Sequence, residues 1–395
     1  MTLISKYPPA HRGKIIVWGL LSTFSFGGMV WQVLHYLIGL RRLGFDVWYV
    51  EDSDRMVTDP DTWLEITDYS NYIQFLSNIM ERAGFKDRWV FRAPGKSQKC
   101  FGCVDFVGLK KLYKEVDAAF NICGAQEFLP YHEDIRCRVY IETDPVRPQL
   151  AIAKGHQGVI EDYKHCHHIF TYGENIGHED CLVPIEMFHW KTTRPPVIMD
   201  WWNSTHAAPK SRKFTTIANW DTKDKGIQWN GEIYYWQKDY TRFIDLPSKS
   251  KIPLELALSE IPKQSLRRIK ENGWLHRPAW ELSDFDQYHD YICDSLGEFT
   301  VSKDQVVRLR SGWFSDRSVC YLAAGRPVIT EETGFSKFIP TGEGLFNFSK
   351  EDEILEAIQA INSNYEKQSQ RARDIAEEYF KAETVIEKIL DSVGL

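Results

Sequence analysis

A β-loop-α-β unit is written into the start of this chain, and no other feature restricts its fold as much. Residues 14–21 (KIIVWGLL) are an almost unbroken apolar run, and a strand without polar alternation must be covered on both faces, as in a parallel sheet. From Met29 the apolar residues Val33, Tyr36, Leu37, Leu40 and Leu43 recur at helical spacing, and Arg41, Arg42 and Gly44 supply the cationic last turn and the glycine that stop a helix. Residues 45–50 (FDVWYV) read as the next strand. Parallel neighbours need a helical crossover between them, so the chain is committed to α/β layers. The loop before the helix holds Gly27 and Gly28 at the carboxyl end of the first strand, the edge where open α/β sheets bind ligands.

The alternation continues. Strands are expected at 118–122, 138–142 and 168–172, and a second series at 213–219, 253–258, 297–301 and 326–330. Pro195 and Pro196 close the first series, and the proline, lysine and small polar residues of 197–212 read as a linker. Ser349 with Asp352 suggests a capping box for a helical tail whose stripe is Ile354, Ile358 and Ile361. The expected division is a first domain over 1–196, a linker over 197–212, a second domain over 213–364 and a helical tail over 365–395. Both domains are expected to be doubly wound and Rossmann-like. The pair Trp201 and Trp202, and the Trp-rich residues 226–236, are expected to pack beneath the linker.

Composition narrows the function. With 43% hydrophobic and 26% charged residues the chain is ordinary globular material, which excludes disordered and fibrous classes. A net charge of -7 leaves no basic excess to displace phosphate counterions, so nucleic acid is a disfavoured partner outside a local basic pocket. Eight dispersed cysteines, no apolar leader, and a longest apolar helix of about a dozen residues against the roughly 20 needed to span a bilayer lead to the expectation of a cytoplasmic protein with reduced thiols and no transmembrane segment. Cys100 and Cys103 have ligand spacing without a second pair, and the contiguous His165, Cys166, His167 and His168 alternate between strand faces, so no metal site is expected. Glu51 falls where a ribose-binding acid would sit, but residues 26–29 lack the G-x-G-x-x-G fingerprint of dinucleotide binding.

The chemistry concentrates in residues 311–334 (SGWFSDRSVCYLAAGRPVITEETG). Asp316 is placed to cap a helix over 317–324, which Gly325 and Pro327 terminate before a strand begins at Val328. Free amides at that helix start, the Arg317 guanidinium and the Ser318 hydroxyl suit a diphosphate. Glu331 and Glu332 follow at the strand's carboxyl end, where carboxylates suit sugar hydroxyls, and Thr333 with Gly334 turns the chain. A base that deprotonates an acceptor belongs on the opposite wall, and Asp144, just past strand 138–142 with Glu142 and His132 close in sequence, is the candidate.

These pieces together resemble the GT-B glycosyltransferases of the group-1-like, nucleotide-sugar-dependent kind. The resemblance rests on Gly312 and Trp313, on Asp316, Arg317 and Ser318, on the run Ala323, Ala324, Gly325, Arg326, Pro327, Val328 and Ile329, and on Glu331 and Glu332. It extends to Gly273 and Trp274, to the GEFTVSK segment ending at Lys303 and to residues 342–345, and is architectural over the first 200 residues. It implies two Rossmann-like domains facing a cleft and a C-terminal helix crossing back to the first. It further implies a UDP-sugar or related donor held by Gly27, Gly28, Lys303, Gly312, Asp316, Arg317, Ser318, Glu331, Glu332, Thr333 and Gly334, with Trp274 beside the base. No metal or other cofactor is implied, because protein cations neutralise the departing diphosphate. The glutamate pair that retaining members carry with seven residues between them is missing: Gly312 and Cys320 occupy those places, which leaves the stereochemical outcome open. A nucleotide-sugar epimerase and a non-catalytic nucleotide-sugar-binding protein are the alternatives of the same fold.

Overall fold

The computed structural model describes residues 7, 9–23, 27–54, 66, 68–95, 98–203, 209–220 and 226–395; Phe26 and residues 204–208 of the expected linker lie outside the described residues. Two sheets organise them. In the first, the order is Cys100–Gly102, Trp89–Arg92, Asp46–Glu51, Lys14–Trp18, Ala118–Ile122, Arg138–Glu142, His168–Thr171, Trp190–Thr192. Neighbours run parallel except at the Cys100–Gly102 edge. The second sheet is parallel throughout, in the order Leu275–Pro278, Leu254–Ser259, Phe214–Asn219, Gly297–Thr300, Val328–Glu331, Leu345–Phe348. Ile15, Ile16 and Val17 are fully buried, as a strand with apolar side chains on both faces requires. This is an α/β protein of two doubly wound lobes facing a cleft.

Several details differ from expectation. The first helix is Gly27–Arg42, so both glycines are helical instead of lying in a loop. The tail helix Glu351–Ser363 is capped by Glu353, which accepts from the Ser349 and Lys350 amides at 2.6 and 3.0 Å, because a glutamate reaches back where Asp352 is too short. The Cys100 to Cys103 spacing belongs to the antiparallel edge strand. A hairpin of Ile227–Trp229 and Glu232–Tyr234 leaves the second lobe and packs Ile227 and Trp229 into an apolar cluster with Val146 and Leu150 of the first.

The lobes share one core. Trp201 and Trp202 are buried against Trp31, with ring centroids 5.7 and 4.8 Å apart, and His289 of the second lobe closes the cluster at 5.6 Å from Trp31. The final helix, Ala382–Val393, returns to the first lobe, where a Cβ on Gly39 would stand 2.4 Å from Ile386. Val197 fixes that return by donating to the Phe380 carbonyl at 2.8 Å and accepting from the Ala382 amide at 2.9 Å. Among the described residues no helix is long and apolar enough to cross a membrane.

Candidate functional site: a cleft between the lobes

Strand Arg138–Glu142 delivers Asp144 to the cleft, and across it stands Lys303 at the start of helix Asp304–Arg308. Their side chains meet at 2.5 Å, although 159 residues separate them. The same Asp144 oxygen accepts from the Trp236 indole at 2.5 Å, and the Lys303 ammonium lies over that ring, 3.9 Å from its centroid. The other carboxylate oxygen, Oδ1, is buried without a protein partner. Beneath it, Glu142 accepts from the Asp144 amide at 2.6 Å and from Thr171 Oγ1 at 3.1 Å; burial, then the charge of Asp144, push its pKa up to about 8.

Sequence reasoning missed Lys238. It bridges to Lys303 through its backbone and is only 8% exposed. Burial, reinforced by Arg317, drives its pKa well below that of an ordinary lysine, with Glu298 opposing too weakly. Nothing local in the segment 234–240 (YYWQKDY) marks this lysine; only the fold, which lays that segment beside Lys303, reveals it.

Arg317 and Ser318 open helix Asp316–Ala323, but Arg317 turns into its own sheet. Its Nε meets Glu298 at 2.5 Å, Nη1 donates to the Ile217 carbonyl at 2.8 Å and Nη2 to Thr300 Oγ1 at 3.0 Å. Burial works against its charge, but Glu298 more than compensates and raises its pKa. Ser318 Oγ is buried without a partner at the same helix start. Asp316 is not the cap: Ser315 occupies that position without a side-chain capping bond, while Asp316 accepts from Gln32 of the first lobe at 3.2 Å and burial raises its pKa.

The remaining candidates divide. Glu331 accepts from the Ser302 amide at 3.0 Å and from Arg242 at 2.5 Å; Glu332 accepts from Asn347 at 2.7 Å and from the Gly334 amide. Thr333 donates to the Trp313 carbonyl at 2.6 Å and accepts through its own carbonyl from the Gly312 amide at 2.7 Å. Gly312 and Gly334, with φ of +77° and +100°, form a notch filled by Asn175 of the first lobe, a second residue that the sequence did not single out; a Cβ on Gly312 would stand 2.3 Å from the Asn175 amide nitrogen. Gly27 is similarly pressed against the second lobe, 2.6 Å separating its missing Cβ from that of Tyr288, while Gly28 faces the Tyr288 hydroxyl at 3.4 Å. Trp274 does not line the cleft. It is buried against Phe299 and donates its indole N–H to the Ile244 carbonyl at 2.9 Å, so it has no free face for a base.

The arrangement gathers Lys238, Lys303 and Arg317 around an uncapped helix start and an unpartnered hydroxyl. A multiply charged anion fits that chemistry. Its architecture is the GT-B glycosyltransferase fold. Searches of protein families and of curated proteins return no match to the sequence. Among solved structures, an alpha-glucosyltransferase in complex with UDP and a 13-mer DNA containing an HMU base is similar over 98% of this chain and 100% of its own, at 11% identity and a TM-score of 0.60. HepE of Anabaena in complex with UDP-glucose is similar over 97% of this chain and 100% of its own, at 12% identity and a TM-score of 0.57. A glycosyltransferase from Rickettsia africae ESF-5 is similar over 97% and 98%, at 12% identity and a TM-score of 0.53.

Proposed function

We propose that the protein transfers a sugar from a nucleoside-diphosphate sugar, in the first instance a UDP-sugar, to an acceptor hydroxyl without a divalent metal. The observation that carries this reading is the convergence of Lys238, Lys303 and Arg317 at the start of helix Asp316–Ala323, with Lys238 buried. The fold supports it, since two of the similar proteins named above, the alpha-glucosyltransferase and HepE, were solved with UDP and UDP-glucose.

As the bond between the anomeric carbon and the diphosphate breaks, the electron pair leaves on a phosphate oxygen. Lys238, the first-turn amides and the Ser318 hydroxyl stabilise that charge, in the role a metal fills in other transferases. Lys303 links the two halves of the reaction. When its ammonium turns to the diphosphate, Asp144 loses its cationic partner, keeps the Trp236 indole, and becomes available to accept the acceptor's proton. Glu331 and Glu332 orient the donor sugar after exchanging present partners for its hydroxyls.

The test is calorimetric titration with UDP, GDP and ADP, followed by donor consumption with and without an acceptor panel. Binding of one nucleotide in the micromolar range and acceptor-dependent turnover are expected. Sugar interconversion without acceptor would assign the site to an epimerase instead.

A further inference from the structure

Lys238 and Trp236 belong to a segment in which Ile233 and Tyr235 are exposed, and that continuity bears on the acceptor. Among the described residues eight large hydrophobic side chains are exposed, and five of them, Leu182, Ile185, Met187, Ile233 and Tyr235, fall in two short segments, one from each lobe. The lobes hold these segments together. Arg308 Nη1 donates to the Ile233 carbonyl at 2.7 Å, and the carbonyl of the next residue, Leu309, accepts from the Leu182 amide at 3.0 Å. Beneath them Val183 and Tyr234 join one buried cluster with Leu309 and Val146. Leu182 and Met187 retain 60% and 65% of their exposure, and Met187 is held at a φ of +68°, which a residue with a Cβ rarely adopts. An apolar surface concentrated this way marks a contact site and not the scatter of a soluble surface.

The surface leads into the cleft. From Ile233 the chain passes through exposed Tyr235, whose amide donates to Asp304 at 2.9 Å, to Trp236 on Asp144, and then to Lys238 beside Lys303. Its charges carry no cationic surplus: Arg308 is paired with Glu232 and Asp304, Arg310 and Lys337 share Asp180, and Glu179 and Glu186 are exposed. A polyanionic acceptor would meet no excess positive charge here. An apolar body would meet five exposed side chains.

Resting on the glycosyl-transfer reading above, we propose that the acceptor is amphiphilic: its hydroxyl reaches Asp144 while an alkyl or aromatic aglycone lies on the surface formed by Leu182, Ile185, Met187, Ile233 and Tyr235. Charge complementarity and continuity with the cleft select this occupant over a nucleic acid.

Alkyl β-glucosides with six, eight and ten carbons, kept below their micelle concentrations, serve as probes in calorimetric titration of the full chain with UDP present. Affinity should rise about two- to fourfold per methylene, the change expected when each CH2 is half to fully buried. Leu182→Asp with Ile233→Asp should abolish that dependence and leave UDP affinity within twofold. Tyr235→Ser, which introduces no charge, should weaken the ten-carbon probe at least threefold if the aspartate pair does not fold. Affinity independent of chain length, or chain-length dependence that survives in the folded variants, overturns the proposal. So does a dimer in the parent that the aspartate pair converts to monomer while the probes fail to bind, which would make the surface a contact between two copies. Intact chain-length dependence without any nucleotide binding would instead refute the glycosyl-transfer reading and leave the apolar surface standing.

Discussion

Replacing Arg317 by alanine tests the site's electrostatics, because the structure sets the energy scale. The guanidinium is 11% exposed, and its partner Glu298 is fully buried, with Oε2 already lacking a partner and Oε1 shared only with Thr216 at 3.2 Å. Truncation therefore strands a carboxylate in the interior, a change that costs about 3–5 kcal/mol when one member of a buried pair is removed. Unfolding entropy of about 2.1 cal/mol/K per residue over 395 residues amounts to roughly 0.8 kcal/mol/K, so the expected drop in Tm is about 4–6 °C. Joint replacement, Arg317→Met with Glu298→Gln, removes both charges and should recover all but about 1–2 °C. Scanning calorimetry of the parent, Arg317→Met, Glu298→Gln and the double variant at one pH and protein concentration closes the cycle, with Arg317→Ala measured beside it. An alanine variant within 1 °C of the parent, or a double variant no better than the single, would refute the buried-pair argument. In the stabilised double variant, a remaining loss of about 1.5–3 kcal/mol in UDP affinity would report direct contact between the guanidinium and the diphosphate.

Four further outcomes are expected. Lys238→Met should weaken UDP binding at least tenfold by titration while leaving Tm unchanged or higher, since it removes a desolvated amine whose charged form burial disfavours and a bound anion would favour. Glu142, with a folded pKa raised to about 8, keeps a proton that the unfolded chain releases near pH 4.5, so its contribution to stability falls as pH rises from about 4.5 to 8; Glu142→Gln should flatten the Tm profile across that window. Gly312→Ala places a Cβ 2.3 Å from the Asn175 amide at a φ of +77°, and a stability loss of at least about 2 kcal/mol in urea unfolding is the expected result. Turnover should survive EDTA; complete loss restored by a divalent cation would contradict leaving-group stabilisation by protein cations.

The sheets were legible because parallel strands have apolar centres. Residues 118–122 and 138–142 fall on strands Ala118–Ile122 and Arg138–Glu142 without adjustment, whereas Trp89–Arg92, ending in a buried arginine, and Leu275–Pro278, at a sheet edge with a polar centre, carry too little of that signal. At the candidate site, local chemistry pointed separately to Asp144 and Lys303, but only tertiary structure shows that they meet. Trp274 illustrates the converse failure. A tryptophan after a glycine near a strand reads equally as a stacking platform or as core, and the sheet decides for core. Lys238 and Asn175 gave no local sign, because a lysine's burial and an asparagine's fit between two glycines are properties of packing across lobes.

The docking of Ala382–Val393 on helix Gly27–Arg42 also dictates a timetable for synthesis. The first sheet's last strand ends at Thr192, and Ala382 follows about 190 residues later. At about 5–20 residues per second, ribosomal elongation takes roughly 10–40 s to cover that distance, far longer than collapse or helix formation requires. Throughout that interval the groove around Gly39 that receives Ile386 is open to water. Nascent chains should therefore be a substrate for chaperones that recognise apolar helices, and stop codons placed before residue 382 should yield insoluble product even when both sheets are complete.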